Sequence, residues 1–154
     1  MSRTEPTDQE KKELLEIIEP FLTPHLHHLG SKRNTFAQID KREKMYGGNG
    51  VVYLLQMFEE AELVNNRIGA YMILPKKGTR AGFHTHGTRN EQELYIVIHG
   101  EGLYFVKENW ESAINTVEIQ KGSVTTIRGN GFHSVENSGN EPLNIFVITT
   151  NEPG

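Results

Sequence analysis

The chain contains no cysteine. That excludes disulfides and thiolate metal sites and makes the cytoplasm the expected compartment. Nor is there an excess of positive charge. The 16 lysines and arginines face 20 aspartates and glutamates, for a net charge of −4. Nucleic acid is not an expected partner on that balance, because phosphate binding needs a concentrated basic field. No apolar run approaches the roughly 20 residues that cross a bilayer, so no membrane is expected. The opening "MSRTEPTDQEKKE" is polar, and no signal peptide is expected there. Internal repeats and low-complexity segments are absent as well. What remains is a chain of 154 residues, 36% hydrophobic and 23% charged, long enough for one domain with a real core.

Two textures divide it. Residues 8–22, "DQEKKELLEIIEPFL", have helical spacing: Leu14, Leu15, Ile18, Phe21 and Leu22 share one face, and Thr7 with Glu10 fits a capping box. The polar, turn-rich stretch that follows reads as an extended arm, so residues 1–50 form an N-terminal helix and arm. From Val51 onward, short apolar or alternating runs recur between turn signals: "VVYLLQMF", "RIGAYMIL", "GFHTH", "ELYIVI", "LYFVK", "NTVEI", "SVTTI", "FHSVEN" and "LNIFVITT". Nine short strands with no helical pattern between them predict an all-β antiparallel sandwich or barrel over residues 51–150. Val51 to Phe58 is the most apolar early run and is expected as an exchanged or edge strand.

Chemistry concentrates in "GFHTHGTRNEQELYIVIHGEG". His84 and His86 are two apart, so on a strand both imidazoles point to one side. Glu93 opens the next strand and, across a hairpin, meets the pair. His133 opens a later strand that a barrel brings alongside. Three neutral imidazoles and one carboxylate suit a divalent first-row metal with one or two positions left open. Glu91 is an alternative carboxylate on the same side as Glu93. Tyr95, two beyond Glu93, faces the same interior, as packing or as a hydroxyl directed at a bound substrate. A second His-x-His, His25-Leu26-His27, has no such surroundings and reads as part of the arm.

These residues fall into the two motifs of the cupin superfamily, which the chain resembles from about Ile68 to Thr149. The first motif is matched by Gly78, five residues, His84-Thr85-His86, then Glu93, six residues and Gly100. The second is matched by Gly122, His133 and Asn137. The spacer from His86 to Glu93 is longer than the family's usual one; Glu93 is expected as ligand because it keeps the six-residue interval to Gly100. Arg128 stands at the motif's proline and Asn130 at its glycine, so Asn130 is expected in the left-handed turn position.

The resemblance implies a single cupin-type barrel, a double-stranded β-helix or jelly roll, and a homodimer. It implies His84, His86, Glu93 and His133 as ligands of one divalent ion: manganese, iron, nickel, zinc or copper. The expected function is that of a small-molecule metalloenzyme acting on a small anionic or oxygen-chelating substrate. Dioxygenase, decarboxylase, isomerase and lyase reactions all occur in the superfamily, some on oxalate. A non-catalytic metal-dependent sensor or carrier is the alternative. Tyr95 is the candidate catalytic hydroxyl. Arg89 and Arg128, with Glu91, are the candidate substrate-binding residues, and Arg67 and Arg80 also flank the motifs.

Overall fold

A computed structural model of the chain describes residues 3–22, 25–28, 31–58 and 69–151. Arg67 lies outside the described residues. The expected helix, α1, spans Asp8–Ile18. The Thr7 hydroxyl accepts from the Glu10 amide at 3.2 Å, and the Glu10 carboxylate accepts from the Thr7 amide at 2.8 Å. This reciprocal cap satisfies two amides that a helix start leaves unpaired. The helix stops short of Leu22 because Pro20 disfavours helical backbone before it and has no N–H to donate. Leu14 and Ile18 are buried against Tyr53, Leu55 and Ile73. No helix among the described residues is long and apolar enough to cross a membrane.

The arm contains strands that its polar composition does not announce: β1 (Arg3–Thr4), β2 (His25–His28), β3 (Ser31–Asn34) and β4 (Gln38–Glu43). The nine expected strands all form, as β5 (Val51–Gln56), β6 (Ala70–Leu74), β7 (Arg80–Thr85), β8 (Glu91–His99), β9 (Glu101–Lys107), β10 (Asn115–Gln120), β11 (Val124–Ile127), β12 (Phe132–Asn137) and β13 (Leu143–Asn151). One sheet has the order β1-β4-β5-β6-β13-β8-β11, the other β10-β9-β12-β7, and β2-β3 form a separate hairpin. The pairings are antiparallel. Val52, Met72, Val97 and Ile145 of the large sheet meet Ala81, Tyr104, Ile119 and Val135 of the small one in a buried core. This is the expected all-β jelly roll.

One expectation is corrected. β5 is not an edge strand: β4 pairs with it on one side and β6 on the other. The arm covers within its own chain the apolar edge that exchange between chains was expected to cover. In β4, Ile39 packs beneath α1, and Lys41 Nζ reaches Glu10 at 2.7 Å. Gln38, Asp40 and Arg42 alternate to the other side.

After β4 a short 3-10 turn, Met45–Gly47, lies against β7. The approach is close enough that a Cβ on Gly82 would meet the Tyr46 carbonyl oxygen at 2.1 Å. Glycine at 82 is what allows Tyr46 to stack on His84, with ring centroids 3.9 Å apart.

Candidate metal centre

Three strands from two sheets deliver the four motif side chains. β7 carries His84, and His86 follows its end. On β12, His133 is directly opposite His84 in register. On β8, Glu93 pairs with Thr149 of β13. The long spacer between His86 and Glu93 is taken up by a 3-10 turn, Gly87–Arg89, closed by Asn90 at φ 51°, a left-handed position that asparagine tolerates better than most residues. The register to Gly100 is thereby kept. Gly100 has φ 91°, and a Cβ there would meet the Pro142 carbonyl at 2.5 Å. In the turn before His133 the left-handed residue is Gly129, at φ 61°, and Asn130 is not among the positive-φ residues. The expectation for Asn130 is thus corrected by one position: the neighbouring glycine takes the conformation without steric cost.

The side chains converge on one point. His84 Nε2 and His86 Nε2 lie 3.0 and 3.3 Å from His133 Nε2. Glu93 Oε1 lies 3.2 Å from His86 Nε2 and 3.4 Å from His133 Nε2. One ligand atom from each residue falls within 4.8 Å of all the others. Four lone-pair donors crowded this way and buried are costly unless a cation draws them together, and imidazole with carboxylate is the donor set of divalent transition ions.

The opposite edges of the four side chains are held too. His84 Nδ1 donates to the Gly82 carbonyl at 3.0 Å, which leaves its Nε2 as the lone pair facing the centre. His86 Nδ1 is 3.4 Å from Glu91 Oε2, and His133 Nδ1 is 2.9 Å from the Tyr104 hydroxyl. Glu93 Oε2 accepts from the Thr149 hydroxyl at 3.0 Å. Such partners fix ring orientation and tautomer at metal sites. Burial, reinforced by the neighbouring His133, pushes His84 down to about 3, and burial also lowers His133. Both are thereby kept neutral, the form in which an imidazole can bind a metal. Burial opposes charge on His86 as well, but its bonds to Glu93 and Glu91 outweigh that and raise it. Burial likewise opposes ionisation of Glu93, yet the hydrogen bonds from His133 and His86 hold its carboxyl well below the usual range.

The cluster opens onto a cavity of about 480 Å³ whose lining includes His84, His86, Glu93 and Tyr95. Tyr95 is buried, its ring stacked on His133 at 5.1 Å between centroids. Burial and the adjacent Glu93 charge push its hydroxyl well above the usual range, so it keeps its proton. Arg89 lines the cavity, and its Nε donates to Glu91 Oε2 at 3.0 Å. Glu91 sits behind His86 and is not among the lining residues; nor is Arg128, which is exposed in the turn after β11. Arg80, another arginine flanking the motifs, lies on the far side of β7, over the Phe105 ring at 4.6 Å.

Sequence reasoning missed the residues the arm contributes. Arg3, Gln38, Asp40, Arg42 and Tyr46 all line the cavity. The available signal was the spacing of Gln38, Asp40 and Arg42, each two apart and hence on one side of a strand. His25 and His27 are in β2, paired with Asn34 and Lys32, away from the motif residues in sheet order.

Comparison with known proteins agrees with this geometry. Residues 70–149 match the family model "Cupin domain". An oxalate-binding protein from Thermotoga maritima is 30% identical over 110 residues, covering 71% of this chain and 84% of the relative. The crystal structure of a predicted oxalate decarboxylase from Thermotoga maritima superposes with a TM-score of 0.63 at 26% identity, over 73% of this chain and 91% of that one. The cupin domain of Schizosaccharomyces pombe Cnp3 shares the fold alone, with a TM-score of 0.56 at 10% identity over 83% and 85% of the two chains. With the motif residues gathered between the two sheets and the family model matched across them, the chain belongs to the cupin family.

Proposed function

We propose that the protein is a cupin metalloenzyme that takes up a small anionic, oxygen-chelating molecule. His84, His86, Glu93 and His133 would hold one divalent ion from manganese, iron, nickel, zinc or copper. The observation that carries this reading is the convergence of three Nε2 atoms and one carboxylate oxygen at the inner end of a cavity that also holds arginines. Three neutral imidazoles and one carboxylate leave a divalent ion with a net charge of about +1, which favours an anionic ligand. When bound, such an ion supplies Lewis acidity to the oxygens that chelate it.

The chain's own residues do the rest. Arg89, at the cavity wall, offers a guanidinium to a carboxylate. Tyr95 holds its proton on a hydroxyl beside Glu93, the state needed to donate a hydrogen bond to a substrate oxygen. Leu54, Met72 and Val147 give the cavity an apolar stretch of wall. Arg128 stays in the proposal only as an outer contact, given its exposed position.

A non-catalytic carrier is the second reading, and the relative known as an oxalate-binding protein favours it. The homodimer also belongs to this proposal: Trp110, Ile114, Val117 and Val124 are exposed apolar side chains available to a partner. Calorimetry with oxalate tests the shared core of both readings. Manganese-loaded protein should bind it, and protein stripped by a chelator should not. Equal binding with and without metal would refute the centre's role. Conversion of oxalate or of α-keto acids by loaded protein separates enzyme from carrier.

A further inference from the structure

The cavity's other end is built by the arm. Arg3 Nε and Gln38 Nε2 donate to Asp40 Oδ1 at 2.8 and 2.6 Å, while Arg42 Nη2 reaches Asp40 Oδ2 only at 3.5 Å. Asp40 is buried, and Arg42 is largely so, with a side-chain exposure of 17%. The Nε of Arg42 is buried with no hydrogen-bond partner. An unmade guanidinium donor is costly, and a small turn of the Arg42 side chain, held to Asp40 only at 3.5 Å, would let a ligand in the cavity supply the acceptor. Two guanidiniums against one carboxylate leave one positive charge at this end. That matches a singly charged carboxylate better than a doubly charged phosphate.

The two ends belong to one cavity and are separated by a defined surface. In sheet order, β4 with Arg42 and β8 with Glu93 have β5, β6 and β13 between them. These strands turn Leu54, Ala70, Met72 and Val147 toward the cavity. The lining therefore runs from the clustered histidines and Glu93, across apolar side chains, to a guanidinium held by one long bond and with its Nε unpaired. Oxalate, two joined carboxylates with no apolar part, engages only the first of these.

Resting on the chelating-anion reading above, we propose that Arg42 is a second anion-binding residue and that the ligand is two-headed. It carries chelating oxygens at one end, an apolar body and a terminal carboxylate that meets Arg42. α-Keto dicarboxylic acids of medium chain length have this form. Arg42 thus sets specificity by tightening long diacids alone, because short chelators do not reach it.

The test is calorimetry on manganese-loaded protein with oxalate, straight-chain α-keto monoacids and α-keto diacids of matched, increasing length. In the wild type the best diacid should bind ~10- to 100-fold more tightly than its monoacid, as a bond to a charged group implies. Arg42→Met should abolish that advantage and leave oxalate affinity unchanged. Arg42→Lys, which keeps the charge but loses the planar fork, should lose most of it and serves if the methionine variant does not fold. Ligand-free Arg42→Met should melt no lower than wild type, because Asp40 keeps Arg3 and Gln38; a merely structural arginine would lower the melt. If oxalate and monoacids bind but the second carboxylate adds nothing, or if its advantage survives both substitutions, this inference is overturned while the chelating site stands. If no acid binds, both fall.

Discussion

Glu91 and Glu93 are two residues apart on one strand, are both buried, and differ in what they meet. Glu93 presents Oε1 to the Nε2 atoms of His86 and His133. Glu91 presents Oε2 to the back of His86 and to Arg89. A ligand and the residue that orients a ligand respond differently to loss of charge. Replacing Glu93 with Gln, or His84 or His133 with Ala, should reduce metal content of the purified protein to near zero. Glu91→Gln should retain metal but weaken it by about 10- to 100-fold, the usual effect of removing an orienting partner. His27→Ala should leave occupancy unchanged. Elemental analysis and competition with a chelator read all of these, and a Glu91→Gln protein emptier than Glu93→Gln would reverse the assignment. The four clustered side chains were legible because a metal motif constrains residue type and spacing together. Arg42 was not, since the cavity it lines exists only once β4 has joined the sheet.

At the scale of elements, the nine strands from Val51 onward could be read because their apolar side chains alternate or run unbroken between turns. β4 could not. Its inward side is Gln38, Asp40 and Arg42, which line a polar cavity, and its outward side is Ile39 and Lys41 under α1. The apolar period that marks a strand is therefore missing because that side faces a cavity and not the core. What fixes β4 and β5 to the helix is Glu10, which accepts from Lys41 Nζ at 2.7 Å and the Tyr53 hydroxyl at 2.6 Å while capping Thr7. The bonds from Lys41 and Tyr53 hold its carboxyl down to about 2, from an ordinary value of 4.5. A folded pKa below the unfolded one means that the stabilisation is complete above the unfolded value and is lost as pH falls through the folded one. Urea unfolding monitored from pH 5 to pH 2 should therefore show a loss across that window that Glu10→Gln lacks. At neutral pH the variant should be about 1 kcal/mol less stable, a modest figure because the group is near the surface. If wild type and variant lose stability in parallel below pH 5, Glu10 is not the group responsible.

For the whole molecule, the question is how far folding depends on the ion. Small metal domains without a core are unfolded when stripped. Here one core lies between two sheets and a second beneath α1, with Val52, Leu55, Ile73, Leu74, Val135, Leu143 and Ile145 all inaccessible to solvent. Loss of the metal leaves that apolar burial intact. It leaves four donor groups facing one another, a local cost confined to the ends of β7, β8 and β12. The metal-free protein should therefore keep its β-sheet circular dichroism and unfold cooperatively. A metal that binds only the folded state adds RT ln(1 + [L]/Kd), about 2.7 kcal/mol at one hundred times Kd. For a domain of this size each kcal/mol moves the melting point by roughly 2–4 °C, so saturation should raise it by about 5–11 °C. His133→Ala, with no complete site, should show no such rise. A stripped protein without sheet structure would mean that the ion organises the fold. An equal rise in His133→Ala would place the stabilising metal elsewhere on the molecule.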